Sequence, residues 1–103
     1  MAKKVIWSHE ATFDLDAIAD YISRDSAFYA SAFVQGVLDT TKSLKEFSER
    51  GRVVPELCNP NIRELFVKEY RVIYSVEETC VVIIGLIHGK RDLDRLWKRE
   101  KRG

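Results

Sequence analysis

Polar and apolar residues change rhythm along this chain, and the changes mark its elements. From Ala11 the apolar positions fall at Ala11, Leu15, Ile18, Ala19 and Ile22, a single stripe on an α-helix. Ser8 precedes the stripe as an N-cap, and Glu10 suits the positive end of the helix dipole. Asp14, Asp16 and Asp20 lie off the stripe and predict an acidic outer surface. Arg24-Asp25-Ser26 breaks the helix, and either Asp25 or Ser26 caps a second one. Its stripe runs through Tyr29, Phe33, Gly36, Val37, Thr40, Leu44 and Phe47. Two amphipathic helices joined by so tight a turn form an antiparallel hairpin, and their apolar faces need a sheet to cover.

The period then shortens. Ile62–Val67, Tyr70–Val76 and Cys80–Ile87 are rich in β-branched and aromatic residues and bounded by charged turns, the pattern of strands. Connections of two residues, Lys68-Glu69 and Glu78-Thr79, make them antiparallel hairpins. The run Val81 to Ile87 does not alternate, so both its faces are covered and it is predicted to be the central strand. Two-residue loops place Phe66 opposite Arg71, and Arg71 opposite Leu86. One sheet face then holds Leu65, Val67, Tyr70, Val72, Tyr74, Val76, Val81, Ile83 and Ile87, with Arg63 its only charge. The other holds Ile62, Phe66, Ile73, Val82, Ile84 and Leu86 with Glu64, Glu69, Arg71 and His88, the last two as diagonal neighbours. A bulge would shift this assignment by one position.

Lys3–Trp7 reads as a short edge strand, and Ser48–Asn61, with Gly51, Pro55, Asn59 and Pro60, as a loop that begins with Arg50 and Arg52. Asp92–Lys101 fits a short C-terminal helix with Leu93, Leu96 and Trp97 on one side. The order is β-α-α-β-β-β(-α), a two-layer α+β sandwich with a helical hairpin packed on an antiparallel sheet, and one domain spans residues 1–103.

Composition narrows the class. With 46% apolar and 32% charged residues this is the make-up of a soluble globular protein. The sequence shows no membrane-length apolar run and no signal-peptide core, which predicts a cytoplasmic protein with no membrane partner. Cys58 and Cys80 have no metal-ligand spacing and are expected as free thiols. The net charge of +1 hides an asymmetry: residues 1–50 hold six Lys/Arg against eight Asp/Glu, and residues 51–103 eleven against eight. From Lys90 to Gly103 seven bases face three acids, which suits a local anionic partner.

Candidate chemistry gathers at the charged sheet end. The sequence has no glycine-rich phosphate loop, no metal-ligand set and no convincing nucleophile–base pair, so no cofactor or metal is expected. Arg71, Lys90 and Arg91 have the charge to bind a phosphodiester, His88 is a candidate general acid or base, and Trp97 can stack on a base. Each has a plainer reading. Arg71 beside Glu64 and Glu69 fits a cross-strand ion pair. His88 fits a hydrogen-bonded strand terminator, Lys90 and Arg91 a solvated turn, Trp97 helix packing, and Lys98, Arg99, Lys101 and Arg102 a solvated end.

The succession IADYI, a second helix, SLKEFSERGRVVPEL, IRELFVKEYRVIYSVEE and VVIIGLIHGKRDL resembles the RelE/ParE superfamily of toxins from type II toxin–antitoxin (plasmid stabilisation) modules. The likeness spans about Trp7 to Leu93, and is most specific in IREL-x4-YRVIY and IHGKRDL. It implies a bacterial toxin neutralised by a cognate antitoxin, in a possible hetero-oligomer, with one of two targets. RelE-like members cut mRNA in the ribosome with basic residues and a tyrosine; ParE-like members poison DNA gyrase. Arg71 and Arg91 match RelE arginines, and His88 is a further RelE-like candidate. Ile62 and Glu64, however, stand where RelE has lysines, and Trp97 where it has its tyrosine. Without the lysine pair the charge of a scissile phosphate is poorly held. The resemblance therefore implies the ParE-like branch, a gyrase inhibitor without catalysis of its own, with the ribosome-dependent endoribonuclease as the alternative. Arg63, Glu64, Lys90, Arg91, Trp97, Lys98 and Arg99 are the expected target- or antitoxin-binding residues.

Overall fold

The computed structural model describes residues 2–89. The expected C-terminal helix, Asp92–Lys101 with Trp97, Lys98 and Arg99, and the preceding Lys90 and Arg91 lie outside the described residues. The elements are β1 (Lys4–Trp7), α1 (His9–Ser23), α2 (Ala27–Lys42), a 3-10 turn (Ser43–Lys45), β2 (Arg52–Val53), β3 (Ile62–Val67), β4 (Tyr70–Val76) and β5 (Cys80–His88). Two helices lie on one face of a five-stranded sheet of order β1-β5-β4-β3-β2.

Both helix starts form as their sequences dictate. The Ser8 hydroxyl accepts from the Ala11 amide and the Ser26 hydroxyl from the Tyr29 amide, so Ser26, not Asp25, caps α2. On α1 the expected stripe faces inward, with Ala11 and Leu15 buried. The α2 stripe is rotated from expectation. Ala30, Phe33, Val37 and Thr41 are buried, while Tyr29 is exposed. Phe47 lies beyond the helix and is exposed too. Thr41 fits the core because its hydroxyl donates to the Val37 carbonyl at 2.9 Å.

The sheet departs from expectation at four points. It is mixed rather than antiparallel: β1 runs parallel to β5, with Lys4 opposite Cys80 and Trp7 opposite Ile83, the two helices serving as the crossover. β4, not β5, is the middle strand, although β5 is interior and covered on both faces. The segment expected to be only a loop contributes β2, which pairs Arg52 with Glu64 and Val53 with Arg63.

The fourth is the register of β4 against β5. Phe66 faces Arg71 as expected, and the predicted register holds from Tyr74 to Val76. A bulge between Ile73 and Tyr74 then slips it by one, so Arg71 faces Ile87 rather than Leu86. One extra residue exchanges faces beyond it. Leu86 joins the core under the helices, Ile87 moves to the opposite face, and His88 turns to the helix side beside Tyr70.

The main core lies between helices and sheet and is built around Phe33, Val37, Leu44, Val72, Tyr74, Val81 and Ile83. A second, smaller one covers the far face, where Val54 and Leu57 of the β2–β3 loop close over Ile62, Ile73 and Ile84. Asp14, expected on the outer surface, is half-buried. Its carboxylate accepts from the Leu86 amide at 3.1 Å, where β5 has run past the end of β1.

Candidate functional site

The far face of the sheet carries a chain of alternating charges. Arg52 on β2, Glu64 on β3 and Arg71 on β4 come from neighbouring strands, because Arg52 pairs with Glu64 and Phe66, two residues on, pairs with Arg71. The Glu64 side chain is fully buried, which for a carboxylate is tolerable only with partners on both oxygens. Arg52 Nε donates to one of them and Arg71 Nη1 to the other, the latter at 3.1 Å. Arg52 itself is mostly exposed and its guanidinium lies 5.9 Å from the centre of the half-exposed Phe66 ring.

Arg71 is fully engaged. Besides Glu64, its Nη1 donates to Glu56 Oε1 at 3.3 Å, and its Nη2 lies 3.1 Å from Glu56 Oε2. Nη2 and Nε both donate to the Gly89 carbonyl, at 3.1 and 3.3 Å. Gly89 is admitted there by its lack of a side chain: an added Cβ would come within 3.0 Å of the Phe66 ring and 3.2 Å of the Glu69 carbonyl, to which the Gly89 amide donates. Only 10% of the Arg71 side chain remains accessible.

Titration behaviour follows from this geometry. The hydrogen bond from Arg71 holds the Glu56 carboxyl below the usual carboxylate range, against the smaller opposing effect of its partial burial. Burial alone would weaken the charge on Arg71, yet its hydrogen bonds to Glu56 and Glu64, with their negative charges, raise its pKa above the ordinary arginine value. On the other face, burial pushes the Tyr74 hydroxyl up, even though the Gly51 amide donates to its oxygen at 2.9 Å.

The expected site residues therefore divide. Arg71 and Glu64 are brought together. His88 is not with them: the bulge places it on the helix side, its ring edge-on to Tyr70 at 5.4 Å, and Tyr70 in turn stands 5.2 Å from Phe33. Arg63 also points to the helix side, where its Nη1 donates to the carbonyls of Glu49 and Gly51 at 3.2 and 2.8 Å. Its Nη2 lies 3.8 Å from the Glu49 carboxylate.

Sequence reading missed two members of the network. Arg52 follows Gly51 and opens a Val-Val pair, the faint mark of a strand; Glu56, after Pro55 in the loop, carries no local signal. Chemically the arrangement holds strands and loop together. Among the described residues no group of three or more His, Cys, Asp or Glu has the geometry of a metal site.

Three likenesses to known proteins fit this architecture. The profile of the ParE toxin of type II toxin–antitoxin systems, parDE, matches residues 5–93. Toxin RelE2 of Caulobacter vibrioides is 35% identical over 89 residues, covering 85% of this chain and 97% of that protein. A solved structure of the chromosomal ParDE toxin–antitoxin system from P. aeruginosa superposes with a TM-score of 0.69 at 23% identity, covering 84% of this chain and 96% of that one. At that identity the superposition speaks for the fold.

Proposed function

We propose, since this chain belongs to the ParE toxin family of type II toxin–antitoxin systems, that it acts in the cytoplasm by binding DNA gyrase and blocking it, and that a cognate antitoxin neutralises it in a hetero-oligomer. The observation that carries the gyrase reading is the state of Arg71. An arginine that is to stabilise a scissile phosphate must present its N–H groups to it. Here those groups are spent on Glu64, Glu56 and the Gly89 carbonyl, and the nearest charges are carboxylates that repel phosphate. Such a face favours inhibition by contact over cleavage. The basic residues Lys90, Arg91, Lys98 and Arg99, with Arg63 and Trp97, are proposed to meet the acidic segment of an antitoxin or the target itself.

The test is a supercoiling assay with purified toxin and gyrase. Inhibition with accumulation of cleaved DNA is the expected result, and unimpaired supercoiling at micromolar toxin rejects it. A second reading, ribosome-dependent mRNA cleavage, is favoured by the name of the Caulobacter relative and by the presence of Arg71. It requires transcripts cut within codons after toxin induction, with the cuts lost in Arg71→Ala; intact transcripts exclude it.

A further inference from the structure

The outer side of the helical hairpin takes no part in the ion-pair network of the sheet. Between α1 and α2 runs an open groove whose floor includes Ala19, Ala30 and Val34 and whose walls carry Asp20 and Gln35. Small side chains leave the trough deep enough to admit side chains of another protein. Phe13 on α1 is 68% exposed and Phe28 on α2 is 76% exposed. Helical spacing sets Phe13 in one row with Asp16 and Asp20, and Phe28 in one row with Gln35, so both rings lie outside the groove's lining but on rows that lead to it. The helices run antiparallel, which puts the two rings toward opposite ends. A single exposed aromatic is unremarkable, but two exposed phenylalanines on the same helical hairpin as an open groove add to its contact surface.

Charge decides what fits it. Residues 9–42 hold six carboxylates (Glu10, Asp14, Asp16, Asp20, Asp25, Asp39) against Arg24 and Lys42, a net of −4. Asp14 is turned to the Leu86 amide and Asp20 lies 3.5 Å from the Arg24 guanidinium, so the acidic excess of the hairpin rests on its other carboxylates. An acidic peptide or a phosphate backbone is repelled here. We infer that this face docks a basic, apolar surface of the target enzyme itself, with Asp16 and Asp20 facing its Lys and Arg and the two phenylalanines filling its apolar gaps. The inference rests on the gyrase reading and assigns the grip to the hairpin rather than to the sheet.

The experiment compares full-length toxin with Phe13→Ala, Phe28→Ala and the double variant Asp16→Lys/Asp20→Lys, each first shown by thermal melting to be folded. The toxin concentration that half-inhibits gyrase supercoiling is expected to rise about tenfold or more in each variant. Binding of wild-type toxin to gyrase is expected to weaken as salt is raised. Variants equal to a fully inhibiting wild type overturn the docking surface and leave the gyrase reading standing; a wild type that does not inhibit overturns both. Sedimentation closes the remaining route: a wild-type dimer that Phe28→Ala converts to monomer shows that a second copy fills the groove, and overturns the inference.

Discussion

Glu64 shows how one residue's surroundings settle its role. A carboxylate with no water contact survives between Arg52 and Arg71, and each partner's worth depends on its own exposure. Arg52 is 61% exposed, so water reaches the Glu64 oxygen once its side chain is cut back, and Arg52→Ala is expected to cost about 1 kcal/mol or less. Glu64→Ala removes the charge that faces a nearly buried guanidinium and is expected to cost about 3 kcal/mol. Urea denaturation of both variants measures the difference, and equal costs would contradict it. The charge at position 64 and its pairing with Arg71 were legible in the sequence, because strand pairing follows from two-residue loops. Arg71's second carboxylate was not, since Glu56 arrives through a loop whose path no periodicity encodes.

Among the elements, the β2–β3 loop is a strap over the second core, held by Val54 and Leu57 on its apolar side and by Glu56 on Arg71. The folded Glu56 carboxyl titrates below its unfolded value, so its contribution is complete above the ordinary carboxylate range and disappears as pH falls through the folded value. Acidification, or Glu56→Gln at neutral pH, is expected to loosen the strap before the sheet opens. Hydrogen exchange reports it: the Leu57 and Ile62 amides, bonded within the loop to the Val54 and Asn59 carbonyls, exchange faster while those of β4 keep their protection. Uniform protection across both would refute it. The helices, four of the five strands and both hairpins were readable from residue pattern and turn length. The bulge at Ile73/Tyr74 was not, because residues Val81 to Ile87 are apolar on both sides and mark no face. That silence is why His88 was expected on the wrong side of the sheet. The rotation of the α2 stripe has a similar origin: Ala30 and Thr41 are small or polar and signal burial weakly, whereas Tyr29 and Phe47 signal it and are exposed.

At the scale of the molecule, helices and sheet share one main core, and Phe33 lies within it, 1% exposed and tilted against the Tyr70 ring. Phe33→Ala is expected to remove about 3–5 kcal/mol, enough to lower the melting temperature by about 15 °C or more in a chain of this size. Thermal melting followed by circular dichroism tests it, and a shift of only a few degrees would show that the core closes around the gap. The parallel pairing of β1 with β5 has its own consequence for the newborn protein. The ribosome makes Lys4–Trp7 long before its partner Cys80–Ile83. Until then the first strand has nothing to pair with, and that flank of the sheet is completed only when the chain returns to it.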